Sequence, residues 1–141
     1  MIRRMAAADL DAVAGIWLSA NLDAHSFIPA GYWEGNYEKV KAAIAEAECY
    51  VYEDAGGVEG FVGLSGDRVE GLFVAAPARS RGIGARLLGL AKALRPRLEL
   101  NVYAQNARAV AFYEREGFTI ASKGVDDATG QADCLMVWSE A

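Results

Sequence analysis

Between Tyr50 and Tyr103 the chain changes its hydrophobic rhythm twice, and few architectures accommodate that pattern. Tyr50 to Asp54 and Val58 to Leu64 read as two strands around the turn Gly56-Gly57, and Val69 to Ala75 reads as a third. Then the period lengthens. Ile83, Leu87, Leu90, Ala91 and Leu94 predict a helix that stops at Pro96, after which Leu98 to Tyr103 alternates again. An antiparallel meander is thus followed by one β-α-β crossover into 98–103. Ahead of this block, Ile2 to Met5 predicts a short strand, Ala8 to Ala20 a helix, and Asn36 to about Ala47 a second helix. His25 to Tyr32, with Pro29 and Gly31, predicts a loop or broken helix. Behind it, Asn106 to Arg115 predicts a helix ended by Gly117, and strands from Ile120 and over Leu135–Trp138 flank a hairpin at 127–130. The expected fold class is α/β in the mixed α+β sense: a single twisted mixed sheet of about six to seven strands, flanked by about four helices.

The 141 residues suit a single domain, 1–141, and 53% apolar content is ample for a core. No apolar run is long enough for a membrane span, and the start has no apolar stretch of the signal-peptide kind. Cys49 and Cys134 with one histidine give neither a zinc cluster nor a disulfide framework, so no metal is expected and the thiols read as reduced, in a cytoplasmic protein. The net charge of -5 argues against nucleic acid as a partner. Its distribution says more. Residues 1–70 hold 12 acids against 5 bases, whereas 71–98 hold 6 bases and no acid. An acidic chain with one cationic segment points to a small polyanionic ligand, although Lys92, Arg95 and Arg97 read as a solvated helix face.

Within that segment the loop Arg79-Ser80-Arg81-Gly82-Ile83-Gly84-Ala85 joins a strand to a helix. The first N–H groups of a helix lack intrahelical partners and carry the positive end of its dipole. Glycines let a ligand approach the backbone, and Arg79, Arg81 and Arg86 add charge, which together suit a pyrophosphate. The loop is not a dinucleotide fingerprint, because Leu87 stands where a third glycine would, and it is not a P-loop, because no Gly-Lys-Ser/Thr occurs. Alone, it is also compatible with an ordinary glycine-containing helix start.

A second motif lies downstream: Asn106, Ala109, Tyr113, Gly117 and Phe118. With Leu72-Phe73-Val74 and Arg79-x-x-Gly82-x-Gly84, this spacing resembles the GNAT superfamily of N-acetyltransferases. The stretch from His25-Ser26-Phe27-Ile28 to Tyr32-Trp33, with Asn101-Val102-Tyr103, resembles its small bacterial YjaB/YiaC-type subgroup. The resemblance implies acetyl-CoA as co-substrate and direct transfer to a primary amine in a ternary complex, the amine being a small molecule, a lysine or a protein N-terminus. It implies that the edge of Leu72, Phe73 and Val74 bonds the pantetheine amides, that Arg79 and Ser80 to Ala85 cradle the pyrophosphate, and that Asn106 bonds the pantetheine arm. It implies that Tyr113 protonates the leaving thiolate, with the Val74 N–H at the carbonyl oxygen. Tyr113 also fits a core aromatic beside Phe112.

The base stays open. Where many relatives carry a glutamate five residues before the asparagine, this chain has Asn101. Glu70 is one candidate, through water, or else it faces solvent; His25 is the other, or else it is a hydrogen-bonded structural residue. Phe27, Tyr32, Trp33, Trp17 and Tyr103 surround it as acceptor-clamping aromatics or as core. Two further classes fit parts of the pattern: an acyl-CoA-binding sensor without turnover, and a nucleotide-binding domain. A tRNA-acetylating relative would conflict with the acidic balance. The expected partners are acetyl-CoA and an amine, with no membrane, and the chain is expected as a monomer or homodimer.

Overall fold

Alternation along three consecutive strands makes them pair in sequence, and the lengthened period that follows lays a helix across them. The computed structural model describes residues 1–140. In chain order the elements are β1 (Ile2–Arg4), α1 (Leu10–Ala24), α2 (Ala30–Glu46), β2 (Glu48–Asp54), β3 (Gly57–Ser65), β4 (Arg68–Val74), α3 (Ile83–Leu94), β5 (Arg97–Tyr103), α4 (Ala107–Arg115), β6 (Thr119–Asp126) and β7 (Gln131–Ser139). The seven strands form one sheet in the order β1-β2-β3-β4-β5-β7-β6. All neighbours are antiparallel except β4 and β5, the pair joined by the α3 crossover. This is the mixed sheet the rhythm predicts.

Two elements differ from expectation. α1 continues to Ala24 because no helix breaker precedes Pro29, and α2 begins at Ala30, six residues ahead of Asn36. Pro29 at φ -54 starts that helix rather than ending one, since a first-turn N–H has no intrahelical acceptor to lose. Trp33, buried in the first turn, anchors α2 in spite of Gly31 and Gly35. The break therefore shrinks to residues 25–29, and Tyr32 and Trp33 become helical.

The sheet buries both faces. On one, Val51, Phe61 and Phe73 meet Val13 and Ile16 of α1 and Ile44 of α2. On the other, Val62, Leu64, Val69, Leu98, Leu100 and Met136 meet Ile83, Leu87, Leu88 and Ala91 of α3, with α4 packed at the margin. Among the described residues no helix is long and apolar enough to cross a membrane.

The seat of α3 depends on one missing side chain. A Cβ at Gly60 of β3 would lie 3.0 Å from the Phe73 carbonyl oxygen and 3.3 Å from both the Ile83 and Leu87 methyls. Gly60→Ala must push α3 off the sheet, and overpacking of this kind costs about 1–3 kcal/mol. Urea unfolding of this variant should show a lowered midpoint with an unchanged slope.

Candidate active site

Strands β4 and β5 stay together only at their starts. Their single paired position is Arg68 with Glu99, supported by the Glu99 N–H donating to the Asp67 carbonyl at 3.0 Å. Beyond it, β4 remains paired with β3, and β5 with β7 over its whole length. The facing edges therefore open into a wedge whose mouth lies at Val74 and Tyr103. Antiparallel pairing orients the backbone inside it. The Ala75 N–H donates to Glu59 at 2.8 Å, so the alternate residues Leu72 and Val74 turn their N–H and C=O groups away from β3 and towards the wedge.

After β4 the chain turns through Ser80 at φ 65 and Gly82 at φ 79, and α3 starts. Gly82 is its N-cap, and no side chain caps the helix, so its first amides stay free to receive an anion. Ile83 is an apolar anchor, buried in the core, so its contribution to a cradle is its N–H. Gly84 lies against the ring of Phe112, where a Cβ would make ordinary contact at 3.6 Å.

The three arginines are less available than the sequence suggests. Arg79 is ion-paired with Asp23 of α1, and its Nε donates to the Val74 carbonyl at 3.2 Å. It braces the end of β4 against α1 instead of lining the cradle with its guanidinium. Arg81 pairs with Asp54 at 3.0 Å, and Arg86 lies over the Tyr52 ring while bonding its hydroxyl at 3.1 Å. The anion-receptive character of the loop thus resides in its backbone.

Asn106 is the N-cap of α4, its Oδ1 accepting from the Ala109 N–H at 3.2 Å. Its Nδ2 lies 3.1 Å from His25 Nε2, while His25 Nδ1 lies 2.9 Å from Asn21 Oδ1. Asn21 Nδ2 in turn donates to the Trp17 carbonyl, which fixes the amide and makes Oδ1 the acceptor. The directions along this chain of bonds allow one tautomer: neutral imidazole, Nδ1 donating to Asn21 and Nε2 accepting from Asn106. Both ring nitrogens are occupied, so His25 has no lone pair left for a substrate proton. Of the two readings of His25, the geometry is that of the hydrogen-bonded structural residue. The ring is stacked on Trp33 at 5.5 Å and edge-on to Phe27 and Tyr103 at 5.6 and 5.0 Å. Burial pushes its pKa below the usual 6.5.

Tyr113 follows Asn106 by about two turns of α4. Its ring packs edge-on against Phe112 and Phe118 at 5.2 and 5.5 Å, and it borders the same core cluster as Leu72 and Val74. The residue keeps part of its surface open, while the surrounding apolar side chains push the phenol pKa up and keep it protonated at neutral pH.

Glu70 is the extra residue of a bulge in β4: Gly71 pairs with Gly63 and Val69 with Leu64, leaving Glu70 unmatched. It is half exposed and 3.6 Å from Arg68 Nε. Arg68 also bonds Asn101, whose Nδ2 lies 3.4 Å from Asp133. Nearer the mouth, Asp126 accepts from Tyr103 at 2.6 Å, Thr129 at 3.0 Å and the Ala128 N–H at 3.2 Å. Burial works against its charge, but these bonds prevail and hold its pKa below the ordinary carboxylate value. The sequence reading singled out neither Asp126 nor Asp133, nor Arg68 and Asn21. For Asp126 a signal existed, since Asp-Asp-Ala-Thr-Gly is a turn sequence with an aspartate placed to bond its own backbone. The others depend on partners distant in sequence.

Comparison with known proteins bears on the family and the fold. A family model described as an acetyltransferase (GNAT) domain matches residues 45–120. The chain is 35% identical to the peptidyl-lysine N-acetyltransferase YiaC of Escherichia coli K12, over 98% of this chain and 96% of that protein. It is 31% identical to the peptidyl-lysine N-acetyltransferase YjaB of Salmonella typhimurium, over 96% of this chain and 94% of that protein. The solution structure of apo-form YjaB from Escherichia coli superposes with a TM-score of 0.88 at 28% identity, covering 100% of this chain and 98% of that one. A GCN5-related N-acetyltransferase structure from Rhodopseudomonas palustris shares the fold, with a TM-score of 0.85 at 17% identity, covering 99% and 95%.

The depressed pKa of His25 has a consequence for stability. The unfolded chain takes up a proton near pH 6.5 and the folded chain only at lower pH, so between the two values the unfolded state binds more protons. Stability from neutral His25 is complete above that range and is lost as pH falls through it. Urea unfolding from about pH 7.5 down to about pH 5 should show this decline, and His25→Gln should flatten it.

Proposed function

This chain belongs to the GNAT acetyltransferase family, and from that premise we propose that it transfers the acetyl group of acetyl-CoA directly to the ε-amine of protein lysines, with both substrates bound at once. The observation that carries the reading is the wedge between β4 and β5. Its edge amides at Leu72 and Val74 and the uncapped start of α3 lie along one continuous path. Such a path fits an extended amide-bearing arm that ends in a pyrophosphate: the arm adds to β4 as a strand would, and the loop from Ser80 to Ala85 receives the phosphates.

In this reading each residue has one task. The Val74 N–H points into the wedge and supports the carbonyl oxygen as charge builds there. Tyr113, kept protonated by its apolar surroundings, gives its proton to the departing sulfur. Asn106 retains one N–H and one lone pair beyond its bonds to His25 and Ala109, and offers them to the arm. Arg79 acts at a distance from the phosphates, holding the end of β4 to α1.

The acceptor enters from the other side of the sheet. Glu99, Asn101 and Tyr103 alternate with the buried Leu98, Leu100 and Val102 and so face that side. There Glu70, Glu99, Asp126 and Asp133 outnumber Arg68 and Arg97, so the surface is acidic on balance and attracts an ammonium group. Phe27 and Tyr103, in edge contact at 5.8 Å, offer apolar surface for a lysine's methylenes. That the two most similar relatives compared above are named for peptidyl-lysine is the reason to choose lysine among primary amines. Since His25 has no free nitrogen, Glu70 is the residue that takes the ammonium proton, through water, at the bulge where β4 leaves β5.

Thiol release from acetyl-CoA, followed over lysine peptides, polyamines and N-terminal amines, tests the acceptor; turnover confined to polyamines would overturn the lysine assignment. Tyr113→Phe should lower kcat by about 100-fold with the KM for acetyl-CoA little changed. An unchanged kcat would remove Tyr113 from the chemistry. Glu70→Gln should lower kcat/KM for the peptide by about tenfold at neutral pH, an effect that shrinks as the pH approaches the lysine's own pKa near 10.4.

A further inference from the structure

We propose that His25 is a positioning residue for the transfer: as a neutral imidazole it ties the end of α1 to Asn106 and so fixes the start of α4, the helix that carries Tyr113. The proposal rests on the reading of Tyr113 as the acid. It makes His25 a part of the donor half of the site, although it lies in the segment from which an acceptor contact was expected.

The bonds form an unbroken line across the wedge mouth. They run from the Trp17 carbonyl through Asn21 and His25 to Asn106 and the Ala109 N–H, from α1 to the first turn of α4. Each donates and accepts in one direction only. If Asn106 turned its amide over, Oδ1 would leave the Ala109 N–H and the N-cap would be lost. His25 Nε2 opposes this together with the Ala109 N–H, because as an acceptor it selects the Nδ2 side of that amide. The ring itself is held by Trp33 beneath it and by Phe27 and Tyr103 at its edges. Asn21 and His25 are both buried, which shields the bond between them from water, while the bond from Asn106 is part-buried.

The same logic makes the link pH-sensitive. A proton added at Nε2 turns the acceptor into a donor facing the Asn106 NH2 group, and two donors cannot bond. Asn106 must then release His25 or give up the cap on Ala109. The groups around the ring are Asn21 of α1, Phe27 of the connecting loop, Trp33 of α2, Tyr103 of β5 and Asn106 of α4. Of these only Tyr103 is titratable; it is a neutral phenol whose hydroxyl is turned to Asp126, the nearest charge in that direction. His25 thus carries no compensating anion of its own, and the protonated ring has no partner to replace the one it loses.

Two substitutions separate the two halves of the link. His25→Gln places an amide oxygen where Nε2 stands, so Asn106 keeps an acceptor that does not titrate. His25→Asn reaches only to the Nδ1 position, so it keeps Asn21 and loses Asn106. With acetyl-CoA and a lysine peptide, the Gln variant should keep kcat within about threefold at about pH 8, and the Asn variant should lose about tenfold or more, both with little change in peptide KM. As the pH is lowered to about 5, the ratio of wild-type kcat to that of the Gln variant should fall, a comparison that cancels the other titrating groups. Equal losses in the two variants, a rise in peptide KM in both, or a pH-independent ratio would overturn the proposal. A measurement without turnover keeps it testable if lysine is not the acceptor or if a variant fails to fold. In the wild-type protein, the Asn106 side-chain NH2 resonances should shift with the same midpoint as the His25 ring nitrogens. Asn106 side-chain NH2 resonances unmoved through that titration would overturn the link whatever the enzyme acetylates.

Discussion

The divergence of β4 from β5 is the constraint on which the rest of this molecule depends. A parallel pair normally continues through several residues, yet here it stops after Arg68 and Glu99. Each strand is firmly held on its other side, β4 by β3 and β5 by β7, so the opened edges do not collapse. Backbone groups that would be costly to leave unpaired in a closed sheet face a cleft instead. The bulge at Glu70 sits where the separation begins, and bulges increase local twist, which helps the strands part. The helices α3 and α4 on one face, and α1 and α2 on the other, then supply the two sides of a single gap.

Polar contacts across that gap are arranged to brace it. Arg79 fastens the end of β4 to α1 through Val74 and Asp23, and the line Asn21–His25–Asn106 fastens α1 to α4. Both braces end on α1, whose last turn therefore supports both the end of β4 and the start of α4. The loop before α3 is directed by its left-handed turns at Ser80 and Gly82, and Arg81 ties it to Asp54 of β2.

Much of the fold was legible because it follows from local rules. Period two over 50–75, period 3.6 over 83–94 and period two again over 98–103 leave one handed crossover and one sheet. The misplaced start of α2 shows where such rules conflict. Pro29 and Gly31 read as breakers, but Pro29 occupies the one part of a helix that tolerates it, and buried Trp33 outweighs the glycine. The candidate site was legible in its backbone features, namely the glycine loop and the spacing from Asn106 to Tyr113. The use of each polar side chain was not. A lone histidine among aromatics looks alike in sequence whether it faces substrate or is bonded at both nitrogens, and arginines in a glycine loop look available until their aspartates are located.

The sequence by itself determined the order of elements, the glycine-rich start of α3 and the helix that carries Tyr113, since each depends on residues within a few turns of one another. Only the tertiary structure decided that β4 and β5 part after one paired position, that Arg79 serves Asp23 and Val74, and that His25 is spent on Asn21 and Asn106. Those contacts join residues as far as 56 and 81 positions apart. A hydrogen bond between such residues exists only once the intervening chain has folded, and so its donor and acceptor carry no local mark of having found each other.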